Sequence, residues 1–187
     1  FSCALLDGRA RMAAQSFAQP IHLGTLAHFA PAIIERYRGP LENGDAILCN
    51  DSHLGGLHLN DVALVAPLFV DGRPFAYAVA MAHHVDMGGG TPGSIGLWRE
   101  QVQEGLIIPP VRIMHGGVVD PIALAFITAN IRSPRETAGD LRAQLASVTV
   151  GLRRLQELID DRGLEAVASG IEDLLAYTRR RSEAAIA

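Results

Sequence analysis

Two short segments of the chain concentrate the residue types that could do chemistry. Residues 50–61 (NDSHLGGLHLND) and residues 82–93 (AHHVDMGGGTPG) hold four of the seven histidines, and both contain aspartate and consecutive glycines. Imidazole nitrogens and carboxylate oxygens bind divalent ions, and such sites often leave one position open for water or substrate. The two segments therefore predict a metal site.

The candidate ligands are a pair of residues in the first segment and one histidine in the second. His58 and Asp61 are three residues apart, close enough to bind the same ion from a loop or the start of a strand. In an extended segment His83 and His84 point to opposite faces, so only one of them can join this pair. From the residues alone, ordinary polar loops explain the pattern as well as a metal site does.

The glycine run in the second segment has its own possible function. Glycine lets the backbone approach a ligand closely and leaves N–H groups accessible to it. Gly88, Gly89 and Gly90 are therefore candidates for binding an anionic or carbonyl substrate. Tight turns use such runs equally often, so this interpretation stays open beside the functional one.

A predicted hairpin brings the two segments together. Residues 61–84 read as a strand, an Asp71-Gly72 turn and a second strand, and Asp-Gly is a strong signal for a tight hairpin turn. Antiparallel pairing puts Asp61 at the start of the first strand and His83 at the end of the second. We therefore expect both residues at the same open end of the hairpin.

The rest of the N-terminal part reads as further strands and one helix. Asp7-Gly8 predicts another hairpin, and residues 46–50 (AILCN) predict a short buried strand that leads into the first segment. Between them, apolar residues recur at helical spacing, with Thr25 as the N-cap and Gly39-Pro40 ending the helix.

The C-terminal part is predicted to be helical. Asp120 is placed to cap a helix that has Pro121 at its first position. From residue 134 onwards, apolar residues recur in steps of three and four, interrupted at Arg162-Gly163, which predicts an amphipathic helical hairpin or arm. We therefore predict an α+β fold, with a β-rich metal-site region at residues 1–133 and a helical arm at residues 134–187.

The composition narrows the classes of function. A net charge of −4 gives no electrostatic basis for binding nucleic acid or an anionic membrane. All 16 basic residues are arginine, which excludes lysine Schiff-base chemistry and a Walker-type phosphate lysine from this chain. Two cysteines are too few for a disulfide framework, and no apolar run approaches the roughly 18 residues of a membrane span. These features are typical of a reduced, cytoplasmic protein.

Four stretches resemble one known family. They are residues 50–72 (NDSHLGGLHLNDVALVAPLFVDG), residues 82–94 (AHHVDMGGGTPGS), residues 103–112 (QEGLIIPPVR) and residues 129–147 (ANIRSPRETAGDLRAQLAS). Together they resemble the hydantoinase B/5-oxoprolinase family, which includes B-type subunits of N-methylhydantoinases and the metal-carrying subunits of acetone and acetophenone carboxylases. The resemblance runs from Phe1 to beyond Gly151.

The resemblance implies a division of labour between two subunits. A hydantoinase A-type partner subunit, or a fused domain, binds ATP with magnesium and phosphorylates a carbonyl oxygen of the substrate. The B-type subunit holds manganese or zinc and completes either the opening of a cyclic amide or a carboxylation. The family's ligands match His58, Asp61 and His83 here.

The resemblance also implies that the sequence is part of a longer subunit. Many members carry an acidic residue immediately before the segment that opens this chain, and that residue joins the metal site. The chain begins in an apolar run (FSCALLDG) without an initiator methionine. We therefore expect a fragment of a larger subunit that works in a hetero-oligomer.

The expected function is that of the metal-carrying subunit of an ATP-dependent cyclic-amide hydrolase. In this interpretation, residues 88–90 stabilise the developing oxyanion or phosphate, and His84 or Asp86 orients a ligand or transfers a proton. One alternative is a subunit of an ATP-dependent ketone carboxylase with the same metal site. A second alternative is a non-catalytic structural subunit.

Overall fold

The computed structural model describes residues 1–94 and 96–186. Ala187, the last residue of the predicted arm, lies outside them. Within the described residues there are seven strands and four α-helices. In chain order they are β1 (Ser2–Asp7), β2 (Met12–Gln15), α1 (Pro20–Arg36), β3 (Ala46–Cys49), β4 (Asp61–Val70), β5 (Arg73–His83), β6 (Val111–His115), β7 (Val118–Val119), α2 (Pro121–Ala129), α3 (Pro134–Arg162) and α4 (Leu164–Ile186).

The strands form one antiparallel sheet in the order β2-β1-β5-β4-β3-β6-β7. The predicted hairpins are confirmed: β1 pairs with β2, and β4 pairs with β5 from Asp61 opposite His83 to Val70 opposite Arg73. The long β4–β5 hairpin lies in the middle of the sheet. Its strands are almost continuously apolar because both of their faces are covered by other parts of the chain.

Alternate residues of the central hairpin face two different helical layers. Odd-numbered side chains such as Ala63, Val65 and Met81 pack in one core with the apolar side of α1. Even-numbered side chains such as Val62 and Leu64 pack in a second core with α2 and α3. The period of two along a strand thus assigns the residues of the hairpin to one layer or the other. The α+β class is confirmed.

Helix α1 begins before the start that the sequence predicted. The N-cap is Gln19, and Pro20 occupies the first helical turn, where its missing N–H costs nothing. The predicted N-cap Thr25 is therefore wrong: it lies inside the helix, and its hydroxyl donates to the carbonyl of Ile21. No side chain caps the true start, so the local signal for it was weak.

The C-terminal helices pack on the sheet and on each other. Asp120 caps α2 as predicted, since its carboxylate accepts from the N–H groups of Ile122 and Ala123. Gly163 separates α3 from α4 at the predicted position. Leucines of α3 belong to the same apolar core as the sheet. The division into two regions at residue 133 stays a prediction.

None of the helices within residues 1–94 and 96–186 has the combination of length and apolar character that crossing a membrane requires. Of the two cysteines, Cys49 is buried and Cys3 is half-buried. Burial raises the pKa of the Cys49 thiol to about 12.

A buried glutamine fixes α3 to the central hairpin. Gln144 has no exposed surface, and its amide nitrogen donates to the carbonyl of Val62 at 2.9 Å. Its amide oxygen accepts from Nε2 of His84 at 2.8 Å. Buried polar groups are costly unless paired, so these bonds tie one position on α3 to one end of the hairpin.

We expect the Gln144→Ala substitution to destabilise the protein by about 2–3 kcal/mol, because it leaves the buried His84 Nε2–H without an acceptor. Chemical denaturation would measure the change in the free energy of unfolding. The matched control is Arg142→Ala on the exposed side of the same helix, with an expected change within about 0.5 kcal/mol. Equal effects of the two substitutions would contradict the anchoring role.

Candidate metal centre

Three side chains converge at the open end of the β4–β5 hairpin. Asp61 and His83 face each other across the first pair of the ladder, and Asp61 Oδ1 lies 3.0 Å from His83 Nδ1. The same oxygen lies 3.2 Å from Nε2 of His58. The two imidazole nitrogens are 3.1 Å apart. The structure thus brings the three predicted ligands together around one point.

This donor set suits a divalent ion. Atoms held about 2.0–2.2 Å from one tetrahedral ion lie roughly 3.3–3.6 Å apart, close to the spacing here. The carboxylate of Asp61 is buried, with 3% of its side chain exposed, whereas His58 and His83 are 32% and 48% exposed. Two nitrogens and one oxygen leave an open side toward solvent, where a further ligand, a water or a substrate oxygen can bind.

The segment that carries His58 is held by a buried asparagine. The Asn50 amide nitrogen donates to the carbonyls of Leu59 and Leu106 at 2.7 and 2.9 Å, and its oxygen accepts from the N–H of Ile108 at 2.7 Å. The bond to Leu59 connects the end of β3 to the residue that directly follows His58. Asn50 is therefore a positioning residue that sequence reasoning missed, although it stands at the start of the first predicted segment.

His22 also reaches this site, from the first turn of α1. Its Nε2 lies 3.5 Å from Asp61 Oδ1, and its Nδ1 lies 3.3 Å from the hydroxyl of Ser2. The side chain is buried, and this burial lowers the pKa of His22. The sequence did not identify His22 as part of this site, because nothing in its local sequence connects it to Asp61.

The open side of the centre faces a cavity of about 470 Å³. Its walls combine the histidine and aspartate cluster with apolar side chains. They are Phe1, Gln19, Ile21, His22, Leu57, His58, Asp61 and His83. Phe1, Ile21 and Leu57 are exposed around it, so the polar centre lies at the base of an apolar rim.

His84 points away from this centre. It follows His83 directly, so its ring lies on the α3 side of the sheet, fully buried against Gln144. Burial lowers the pKa of His84, and its Nδ1 is among the buried atoms without a hydrogen-bond partner in the described part of the chain. The position agrees with the expectation that His83 and His84 point to opposite faces of the strand. Its predicted role in catalysis stays a prediction that no contact with the centre supports.

Asp86 holds the glycine loop in place. Its carboxylate accepts from the N–H of Gly88 at 3.0 Å and from the guanidinium of Arg132 at 2.9 Å. The same guanidinium donates to the carbonyls of Gly88 and Gly89. Asp86 is 2% exposed, so these bonds explain its burial without a role in proton transfer, and that predicted role stays a prediction.

The glycines of this loop are required for packing. Gly88 has a φ of +85°, and a Cβ there would lie 2.7 Å from the carbonyl oxygen of Asn130. The N–H of Gly88 donates to Asp86, and the N–H of Gly90 donates to the carbonyl of Gln103. Two of the three N–H groups predicted to bind substrate therefore have acceptors within the chain, and the substrate-binding role of Gly88, Gly89 and Gly90 stays a prediction.

Residues 1–187 match the family profile described as Hydantoinase B/oxoprolinase. The chain belongs to this family. The resemblance seen in the sequence is thereby confirmed.

Two relatives show how much of the family's length is present. An uncharacterized protein of Methanocaldococcus jannaschii is 37% identical over 182 residues, which cover 95% of this chain and 32% of that protein. The putative B-type subunit of a D-/L-hydantoinase from Pseudomonas sp. (strain NS671) is 30% identical over 192 residues, which cover 100% of this chain and 32% of the relative. The chain thus spans about a third of the length of these family members.

Two solved structures share the fold. The ATP-dependent caprolactamase from Pseudomonas jessenii superposes with a TM-score of 0.88 at 30% identity, over 98% of this chain and 32% of that one. Nucleotide-free acetone carboxylase gives a TM-score of 0.85 at 21% identity, over 92% of this chain and 23% of that one. The second comparison shows a common fold alone.

We expect Asp86→Ala to loosen the glycine loop, because it removes both the acceptor of the Gly88 N–H and the carboxylate partner of Arg132. The expected cost is about 1–3 kcal/mol of the free energy of unfolding, with faster amide hydrogen exchange at residues 88–90. Asp173→Ala, on the exposed surface of α4, is the control and should change neither quantity. Unchanged exchange in the Asp86 variant would contradict the clamping role.

Proposed function

We propose that this chain is the metal-carrying part of an ATP-dependent cyclic-amide hydrolase. The observation that carries the proposal is the convergence of His58, Asp61 and His83 on one point with an open side toward a cavity. Membership of the hydantoinase B/oxoprolinase family supports the reaction class. The 30% identity to an ATP-dependent caprolactamase supports it further.

In this proposal His58, Asp61 and His83 hold manganese or zinc. An ion held there would supply Lewis-acid chemistry, polarising a substrate oxygen or lowering the pKa of a bound water. The buried Asp61 supplies the one negative charge of the set, and the two imidazoles bind as neutral rings through a lone pair. The exposed edges of both histidines leave the side toward the cavity open to the substrate.

The ATP-dependent step is assigned to a hydantoinase A-type partner subunit or a fused domain, which binds ATP with magnesium. The chain has no lysine and no P-loop of its own. Relatives named as a B-type hydantoinase subunit and as the beta subunit of a caprolactamase support a hetero-oligomer. The Phe1, Ile21 and Leu57 rim of the cavity suits an apolar part of the substrate or of the partner.

The ketone carboxylase alternative has less support. Its basis is the likeness to acetone carboxylase at 21% identity, which extends to the fold alone. The caprolactamase and hydantoinase relatives, at 30% identity each, favour amide hydrolysis. A purely structural subunit would bind no stoichiometric metal at this cluster.

The first prediction of the proposal concerns metal content. The purified full-length protein should carry about one manganese or zinc per chain, and His58→Ala should lose it, because the variant removes one of two imidazole ligands. His53→Ala, an exposed histidine of the same segment outside the cluster, is the matched control and should retain the metal. Elemental analysis after reconstitution with each ion measures both. No metal in the unmodified protein would overturn the proposal.

The second arm of the test separates the two reactions. With the ATP-binding partner present, ATP consumption should depend on a cyclic amide such as caprolactam, hydantoin or 5-oxoproline. Turnover should fall to background in His58→Ala and persist in His53→Ala. Turnover of a ketone with bicarbonate, without turnover of any cyclic amide, would decide for the carboxylase instead.

A further inference from the structure

Helix α1 begins its buried stripe with a histidine in place of an apolar residue. The buried residues of this helix are His22, Leu26, Phe29, Ala30 and Ile33, which lie on one side of the helix and face the sheet. The first of them is 6% exposed, so it is buried together with its apolar neighbours in the stripe. An imidazole at such a position is costly unless both of its nitrogens find partners.

Each ring nitrogen of His22 lies near a polar side chain. The types of these two side chains indicate which nitrogen carries the hydrogen. Asp61 is a carboxylate and can only accept, so a hydrogen bond across the 3.5 Å between His22 Nε2 and Asp61 Oδ1 requires the hydrogen on Nε2. In the neutral ring Nδ1 then accepts from the hydroxyl of Ser2. Ser2 stands on β1 opposite Met81, two residues before His83 on β5. The contacts therefore connect Ser2 on β1 to His22 on α1, and His22 to the candidate ligand Asp61.

The contact with Asp61 is long at 3.5 Å, and the same oxygen also lies near His58 and His83. Those two rings cannot donate to Asp61 while their lone pairs point at an ion. The Nε2–H of His22 is then the imidazole donor left to the carboxylate. Hydrogen bonds of this kind orient ligating carboxylates.

A serine nucleophile is not an alternative use of the same three residues. Ser2 and Asp61 could suggest a hydrolytic triad with His22 between them. Ser2, however, has no exposed surface, so no substrate reaches its hydroxyl. The contacts of His22 therefore do not activate Ser2 as a nucleophile, and their effect is on the carboxylate of Asp61.

We propose that His22, held by Ser2, is a positioning residue that fixes the carboxylate of Asp61 for metal binding. The inference rests on the proposed metal site and extends it to a residue of α1 that is not itself a ligand. It assigns to the first turn of α1 a function in setting the affinity of the centre.

The test measures zinc affinity of the full-length protein by competition with a chelator. His22→Leu keeps the apolar stripe but removes the donor, and it should bind zinc about 10- to 100-fold more weakly. His22→Gln keeps an N–H donor at a similar reach and should retain most of the affinity. His28→Leu, on the exposed side of the same helix, should match the unmodified protein.

Two further readouts separate positioning from other roles. Thermal unfolding of the metal-free proteins should show that His22→Leu is as stable as the unmodified protein, so its weak zinc binding reports the site and not the fold. With cobalt as the probe, the ligand-field absorption of metal-loaded His22→Leu should keep the position seen in the unmodified protein. A shifted spectrum would make His22 a ligand and overturn the inference.

The remaining outcomes distinguish this inference from the proposed function. If the unmodified protein binds no metal, the proposed site itself fails. If it binds metal and His58→Ala does not, but His22→Leu binds as tightly as the unmodified protein, only the positioning role is overturned. Equal losses in His22→Leu and His22→Gln would also overturn it, because a retained donor would then make no difference.

Discussion

The alternation of side chains along the β4–β5 hairpin is the constraint on which the rest of the structure depends. Odd-numbered residues face α1 and even-numbered residues face α3 along the half of the ladder that leads to the centre. Asp61 and His83 end the first series, whereas Val62 and His84 end the second. The alternation of side chains therefore assigns residues to both apolar cores. It also places Asp61 and His83 on the same face of the sheet, at the open end of the hairpin.

The centre lies where the α1-facing core gives way to the surface. A buried carboxylate is tolerated only with partners, and Asp61 has three imidazoles within 3.5 Å of one oxygen. On the opposite face, Gln144 and His84 satisfy each other in the same way. His83 of the first cluster and His84 of the second are adjacent in the chain. Their side chains lie on opposite faces of the sheet, so the two clusters do not share a site.

The features that local sequence determines were predictable. The Asp71-Gly72 turn between two apolar strands placed Asp61 opposite His83, and the three-residue spacing from Asp61 added His58 as a candidate ligand. The start of α1 was missed because no side chain caps it and Pro20 was the one local signal. His22 was missed because its approach to Asp61 depends on how the helix packs on the sheet. The bond between Asp86 and Arg132 joins residues 46 apart in sequence, and no short-range pattern encodes it.

The adjacency of His83 and His84 also protects the hairpin against mispairing. A slip of one residue in β5 would turn His83 toward the apolar surroundings of Gln144 and expose the ring of His84. A slip in β4 would drive the carboxylate of Asp61 into the α3-facing core, without its imidazole partners. Misregistered chains would thus lose core stability at the same moment that they lose the centre. The folding equilibrium therefore favours the register that assembles the centre, even when no ion is bound.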